Sequence, residues 1–177
     1  LVYFCIGVDV SEIATKFLKD GVTDSVVSVT YEQSSIHDGI HYYMSGIVDL
    51  ALSATADFLI VTGESQPHFK FKIDSTDKVR LYIYEDAVIT TTGTSHDIFN
   101  NDRDSLNVAH TKIFDSPVLS TLGSLILQSS SGDKGSTGFN ENNEGIMFAK
   151  NTNYFARIIS DVNNITASVL ASFHEDK

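Results

Sequence analysis

The sequence predicts an all-β fold, an antiparallel β-sandwich of jelly-roll-like type with a short N-terminal helix or arm. Three observations carry that expectation. Two segments alternate apolar and polar residues with a period of two. About ten short runs rich in β-branched and aromatic residues recur between polar turns. The alternating helices that a parallel sheet needs are missing.

Residues 1–25 read as an N-terminal arm or helix and residues 26–177 as the sandwich domain. Over residues 11–19, Ser11 stands where an N-cap belongs, Ile13, Phe17 and Leu18 fall near one helical face, and Gly21 ends the helix. Strands are expected at residues 26–31, 40–44, 47–53 and 57–62. The clearest alternation is at residues 68–74, where Phe69, Phe71 and Ile73 face one way and His68, Lys70, Lys72 and Asp74 the other. Residues 78–84 repeat it, with Val79, Leu81 and Ile83 on one face. A period of two with charges on one side means one buried and one wet face. The polar link Asp74-Ser75-Thr76-Asp77 suggests that these two strands form an antiparallel hairpin. Further strands are expected at residues 87–92, 108–114, 124–128, 145–150, 154–160 and 166–173. Residues 129–144 are polar and Gly-rich, which predicts a long exposed loop, either a contact loop or a tolerated insertion. No internal repeat is evident along the chain.

Composition narrows function. The 177 residues suit one domain, and 42% hydrophobic content supplies a core. A formal net charge of −11 argues against binding a phosphate backbone or an anionic membrane, both of which call for Lys and Arg. No apolar stretch reaches the ~18 residues of a transmembrane helix. The opening run Leu1-Val2-Tyr3-Phe4-Cys5-Ile6 has no basic region before it and acids at Asp9 and Glu12 soon after, so no signal peptide is expected. Cys5 is the single cysteine, which rules out an internal disulfide and reads as a small buried hydrophobe.

Candidate chemistry concentrates at Glu32, His37, Asp38 and His41. In an extended strand His37 and His41 share a face but stand about 13 Å apart, too far for one zinc ion unless Asp38-Gly39 turns tightly. A carboxylate site for calcium or magnesium and a plain polar turn are the other readings. Serine, histidine and aspartate are all present, but no GxSxG elbow is. Lys134-Gly135-Ser136-Thr137 lacks the spacing of a phosphate loop. Arg103, between Asp102 and Asp104, suggests a structural ion pair. Tyr42, Tyr82 and Tyr84 read either as an exposed sugar-stacking or protein-contact surface or, as is commoner on strands, as core residues and cross-strand pairs. No catalytic residue, metal or cofactor is expected.

The segment Tyr31-Glu32-Gln33-Ser34-Ser35-Ile36-His37-Asp38-Gly39-Ile40-His41-Tyr42-Tyr43 resembles the Tyr-Glu-His-His-Glu-Ile-His-Asp/Glu-Gly-Ser-His-Tyr-Phe stretch of a family of small tailed-phage structural proteins. More of the chain matches in the same order. Pro67-His68-Phe69-Lys70-Phe71 resembles the family's Trp-Ala-His-Phe strand, and Leu81-Tyr82-Ile83-Tyr84-Glu85 a strand end. Phe99-Asn100-Asn101-Asp102-Arg103-Asp104-Ser105 resembles its Asn-rich turn, and residues 148–154 its Leu-Lys-x-Asn-Thr-x-Tyr element. Phe173-His174-Glu175-Asp176-Lys177 is similar to its closing Trp-Tyr-Glu-His-x-Asp-Lys. Gln33-Ser34-Ser35 stand where the family has His-His-Glu, and no Trp is present.

The resemblance implies a virion protein on the capsid exterior, a decoration or cement protein bound to the major capsid protein. It is expected to be a homo-oligomer, with a trimer favoured, binding neither nucleic acid nor membrane. A tail or head-fibre module that binds host surface glycan is the alternative. The expected contact residues are Leu1, Val2, Tyr3 and Phe4, costly to leave exposed, with His37 and His41. An ordinary first strand is the competing account of the N-terminal run.

Overall fold

The computed structural model describes residues 17–19, 26–28, 30–130 and 145–175. Near the N-terminus, β1 (Phe17–Lys19) pairs antiparallel with β2 (Val26–Ser28). Residues 17–19 are thus a strand, and the rest of the helix expected at residues 11–19 lies outside the described residues. The strand expected at residues 26–31 stops at Ser28, and Tyr31 opens the helix α1 (Tyr31–His37). A capping box forms it: Thr30 Oγ1 accepts from Gln33 N–H, and Gln33 Oε1 accepts from Thr30 N–H. Local capping therefore wins over the β propensity of the preceding residues.

The chain continues through β3 (His41–Leu50), β4 (Thr55–Val61), β5 (Pro67–Ser75), β6 (Val79–Glu85), β7 (Val88–Thr91), β8 (Thr94–Ser95), β9 (Phe99–Asn100), β10 (Lys112–Asp115), β11 (Val118–Thr121), β12 (Ser124–Ser130), β13 (Ile146–Met147), β14 (Asn153–Ser160) and β15 (Ile165–Glu175). Two antiparallel sheets make the sandwich. One has the order β13-β5-β15-β3-β9, the other β12-β6-β14-β4-β10-β8. From β3 to β6, and again from β14 to β15, consecutive strands alternate between the sheets. This corrects the hairpin expected at residues 68–84. β5 and β6 lie in different sheets, because a short polar link serves a sheet-to-sheet crossing as well as a hairpin. The alternation itself is as expected: Phe69, Ile73, Val79, Leu81 and Ile83 are fully buried between the layers.

At one end an aromatic stack ties the layers together. Phe69 lies 4.5 Å from Phe173 and 4.8 Å from Phe148, and Phe148 lies 3.8 Å from Tyr154 on the opposing sheet. Tyr154 Oη donates to Glu85 Oε1 (2.6 Å) and accepts from Ala149 N–H (2.7 Å). Burial and the Glu85 carboxylate push its phenol up to about 12.

Outside the two sheets lies a third, smaller layer, a two-stranded ribbon. β6, β7 and β8 pair antiparallel with β12, β11 and β10, so that β7–β11 leaves the sheet at β6 and returns at β10. It passes over β14 and β4, which lie between those strands. Ala87 N–H donates to Asn153 O and Ser116 N–H to Asp57 O, which ties the ribbon down at both ends. On the sheet's outer face, Tyr84, Phe155, Leu59 and Phe114 lie in one cross-strand row, and Phe155 and Leu59 are fully buried there.

The ribbon contains an internal repeat that the sequence reading missed. Residues 86–94 (Asp-Ala-Val-Ile-Thr-Thr-Thr-Gly-Thr) correspond to residues 116–124 (Ser-Pro-Val-Leu-Ser-Thr-Leu-Gly-Ser). Asp86 and Ser116 both have positive φ (60° and 53°), and Gly93 and Gly123 both have φ 85°. The glycine of each copy packs against the corner of the other. A Cβ on Gly93 meets Asp115 O and Ser116, and one on Gly123 meets Glu85 O and Asp86. Only glycine fits both demands.

Candidate functional site

The Glu32–His41 segment does come together with other polar residues, but as a packed row rather than a metal centre. Gly39, with φ 66°, turns the chain sharply from α1 into β3. The turn replaces the extended arrangement expected between His37 and His41. Cross-strand register then sets His41 beside His174, and His174 beside His68, on the outer face of the five-stranded sheet. The His68 and His174 rings stack at 4.5 Å, and His41 and His174 at 6.4 Å. α1 lies against this row: Tyr31 meets His174 edge-on at 4.9 Å, and Glu32 reaches both Lys70 Nζ (2.8 Å) and His41 Nε2 (3.8 Å).

His41 is 4% exposed, and burial lowers its imidazole pKa, partly opposed by Glu32. Asn101 Nδ2 lies 2.7 Å from His41 Nδ1. The Lys70 ammonium, through its hydrogen bond, holds the Glu32 carboxyl below its ordinary value. Among the described residues no group of three or more His, Cys, Asp or Glu is arranged to hold a metal ion. His41, one of the expected contact residues, lies buried beneath α1 with its Nε2 near Glu32. His37, at the end of α1, is exposed. Leu1, Val2, Tyr3 and Phe4 lie outside the described residues, as do Cys5 and residues 131–144 of the polar segment.

A second cluster carries the residue types of a serine hydrolase. Ser65 Oγ lies 3.1 Å from His110 Nδ1, and Glu175 Oε2 lies 3.6 Å from the same nitrogen. A catalytic relay needs the acid and the serine on opposite ring nitrogens. Here both face Nδ1, and the Glu175 carboxylate is engaged by the N–H groups of His110 and Thr111, each at 2.8 Å. The cluster is a clasp that fixes residues 110–111 against the end of β15. It was not legible in the sequence, because the three residues are distant along the chain and carry no local motif.

Of the two readings of the tyrosines, Tyr42 takes the core one, its ring tilted against Phe173 at 5.6 Å, while Tyr82 and Tyr84 are half-buried on the outer face of the six-stranded sheet. Arg103 sits over the Phe99 ring at 5.3 Å in place of the expected ion pair, since Asp102 is turned to accept from Asp104 N–H.

Large apolar side chains are exposed one by one at Leu106, Val108, Ile47 and Leu52, and as a group on and beside the ribbon. Val88 and Val118, equivalent in the repeat, are 53% and 54% exposed, while Ile89 and Leu119 next to them are half-buried. Leu125 and Ile126 on β12, the edge strand of the six-stranded sheet, are also exposed. Residues 87–95 and 116–130 contain no Asp, Glu, Lys or Arg, although charged residues make up 20% of the chain. No family model matches this chain, and neither does any curated protein or solved structure.

Proposed function

We propose that this chain is a structural protein of a tailed-phage virion, a decoration protein that binds the major capsid protein on the capsid exterior. The observation that carries the reading is the uncharged, partly apolar ribbon on an otherwise acidic chain. Interface centres are depleted in charge and rich in apolar contact, and a charge-free surface lets an acidic protein dock without self-repulsion. The placement of the resembling segments supports it too. Residues 31–43, 67–71, 99–105 and 173–175 lie far apart in sequence, yet all contribute to the histidine row or to its hydrogen bonds. A homo-oligomer, with a trimer favoured, would add avidity without new contacts per subunit.

Quantitative mass spectrometry of purified particles tests the proposal. Copies per particle comparable to those of the major capsid protein are the expected result. A count of a dozen or so would assign the chain to the tail, portal or fibres instead, and absence from the particle would overturn the virion reading altogether.

A further inference from the structure

The histidine row beneath α1 plays no part in the ribbon contact. His68, His174 and His41 stand side by side on β5, β15 and β3. His41 is 4% exposed and His174 9%. α1 closes the row from outside. Its Ser35 is 1% exposed, so the helix is firmly seated, and Tyr31 and Glu32 reach the rings of His174 and His41.

The helix is held differently at its two ends. Near its start, Glu32 reaches across to Lys70 Nζ at 2.8 Å. Just past its end the chain is pinned, because Gly39 O accepts from Asn100 Nδ2 at 2.8 Å and from Asn107 Nδ2 at 3.1 Å. Gly39 therefore marks a fixed point from which the seven-residue helix can lift. A helix this short has little stability of its own once it leaves its seat.

Charge decides when it lifts. Around the row stand Tyr31 and Glu32 from α1, His68 and Lys70 from β5, His174 from β15 and the neutral Asn101 side chain after β9. Of these, Glu32 alone favours a positive His41 ring, and it lies 3.8 Å from Nε2 while it bonds Lys70 at 2.8 Å. Burial lowers the His41 imidazole below its ordinary value of 6.5, Glu32 works against that, and Lys70 adds to it. Lifting α1 exposes the ring to water and removes the burial penalty. The ring thus binds a proton more readily with the helix lifted. The seated form has its full advantage above about pH 6.5 and loses it as pH falls below that. Glu32, held low chiefly by its bond to Lys70, acts in the same direction, but only below about pH 4.5.

We infer that α1 is an acid-released cover over the histidine row, seated while His41 is neutral and lifted when His41 takes up a proton. The device rests on the row and the helix alone and stands whether or not the chain binds a capsid.

The test is NMR-resolved amide hydrogen exchange of the full chain at pH 7.5 and pH 5.5, expressed as protection so that the intrinsic pH dependence of exchange drops out. Amides of residues 34–38 are expected to be less protected than those of β15 at both pH values, because α1 lifts without the sheet opening. Their protection is expected to fall about tenfold from pH 7.5 to 5.5, the limit for one ring that titrates near 6.5 when exposed. His41→Gln should show a fall of less than twofold, whatever its protection at pH 7.5. Where that variant leaves α1 too open to measure, titration of the wild-type His41 ring resonances decides, with a midpoint below 6.5 expected. A midpoint at or above 6.5 overturns the inference. So does a wild-type fall under twofold, a fall that His41→Gln leaves intact, or equal protection of α1 and β15.

Discussion

Gly123→Ala is expected to destabilise the protein by about 2–5 kcal/mol. Two costs add. A left-handed backbone costs a non-glycine residue ~1–2 kcal/mol, and forcing an extra methyl into a closed site costs about 1–3. The methyl has nowhere to go. Its position lies against Glu85 O and 2.8 Å from Asp86 C, and both are backbone atoms of the opposing corner. Asp86 itself has φ 60°, so it has little freedom to yield. Gly93→Ala should behave alike, since its Cβ meets Asp115 O and Ser116 in the equivalent corner. Domains this size are stable by ~5–15 kcal/mol, so the loss is a large share of the total. Denaturant unfolding checks it, with the neighbouring exposed Thr121→Ala as control, expected within about 0.5 kcal/mol of wild type. An unchanged midpoint for Gly123→Ala would mean that the ribbon does not form these corners.

Glu175→Ala is expected to cost about 2–5 kcal/mol, although no charged partner is lost in the ordinary sense. The carboxylate is 4% exposed, and its two oxygens accept the N–H groups of Thr111 and His110. Truncation leaves the buried Thr111 N–H and the part-buried His110 N–H without acceptors, at ~1–3 kcal/mol each when fully buried. Glu175→Gln keeps one acceptor oxygen and should lose roughly half as much. Hydrogen exchange supplies the local signature: the Thr111 amide should exchange much faster in Glu175→Ala at matched global stability. Equal protection would show that some other group holds residues 110–111 in place.

The core was legible because a period-two pattern has one physical meaning. Phe69, Ile73, Val79, Leu81 and Ile83 are buried where the alternation puts them. Connectivity was not legible, because the link at residues 76–78 is equally suited to a hairpin and to a crossing between layers. The helix at Tyr31–His37 had a readable signal in Thr30 and Gln33, spaced as a capping box, but the β-rich residues before it drew the strand too far. The ribbon repeat shares few identical residues; what its halves share is conformation, the positive φ at Asp86, Ser116, Gly93 and Gly123. At the candidate sites, the sequence brings His37 and His41 to notice but not His68 and His174, which cross-strand register alone sets beside His41.

The central claim is that the uncharged ribbon is the face that docks on the capsid. The most direct measurement is the bound fraction of a Val88→Lys/Val118→Lys double variant on particles lacking the native copy. Both side chains are more than half exposed, so the fold should survive, as circular dichroism would register. Two ammonium groups placed at the centre of an apolar contact should reduce binding at least tenfold, on the order of 1.4 kcal/mol or more. A folded double variant that binds the particle as tightly as wild type would contradict the account.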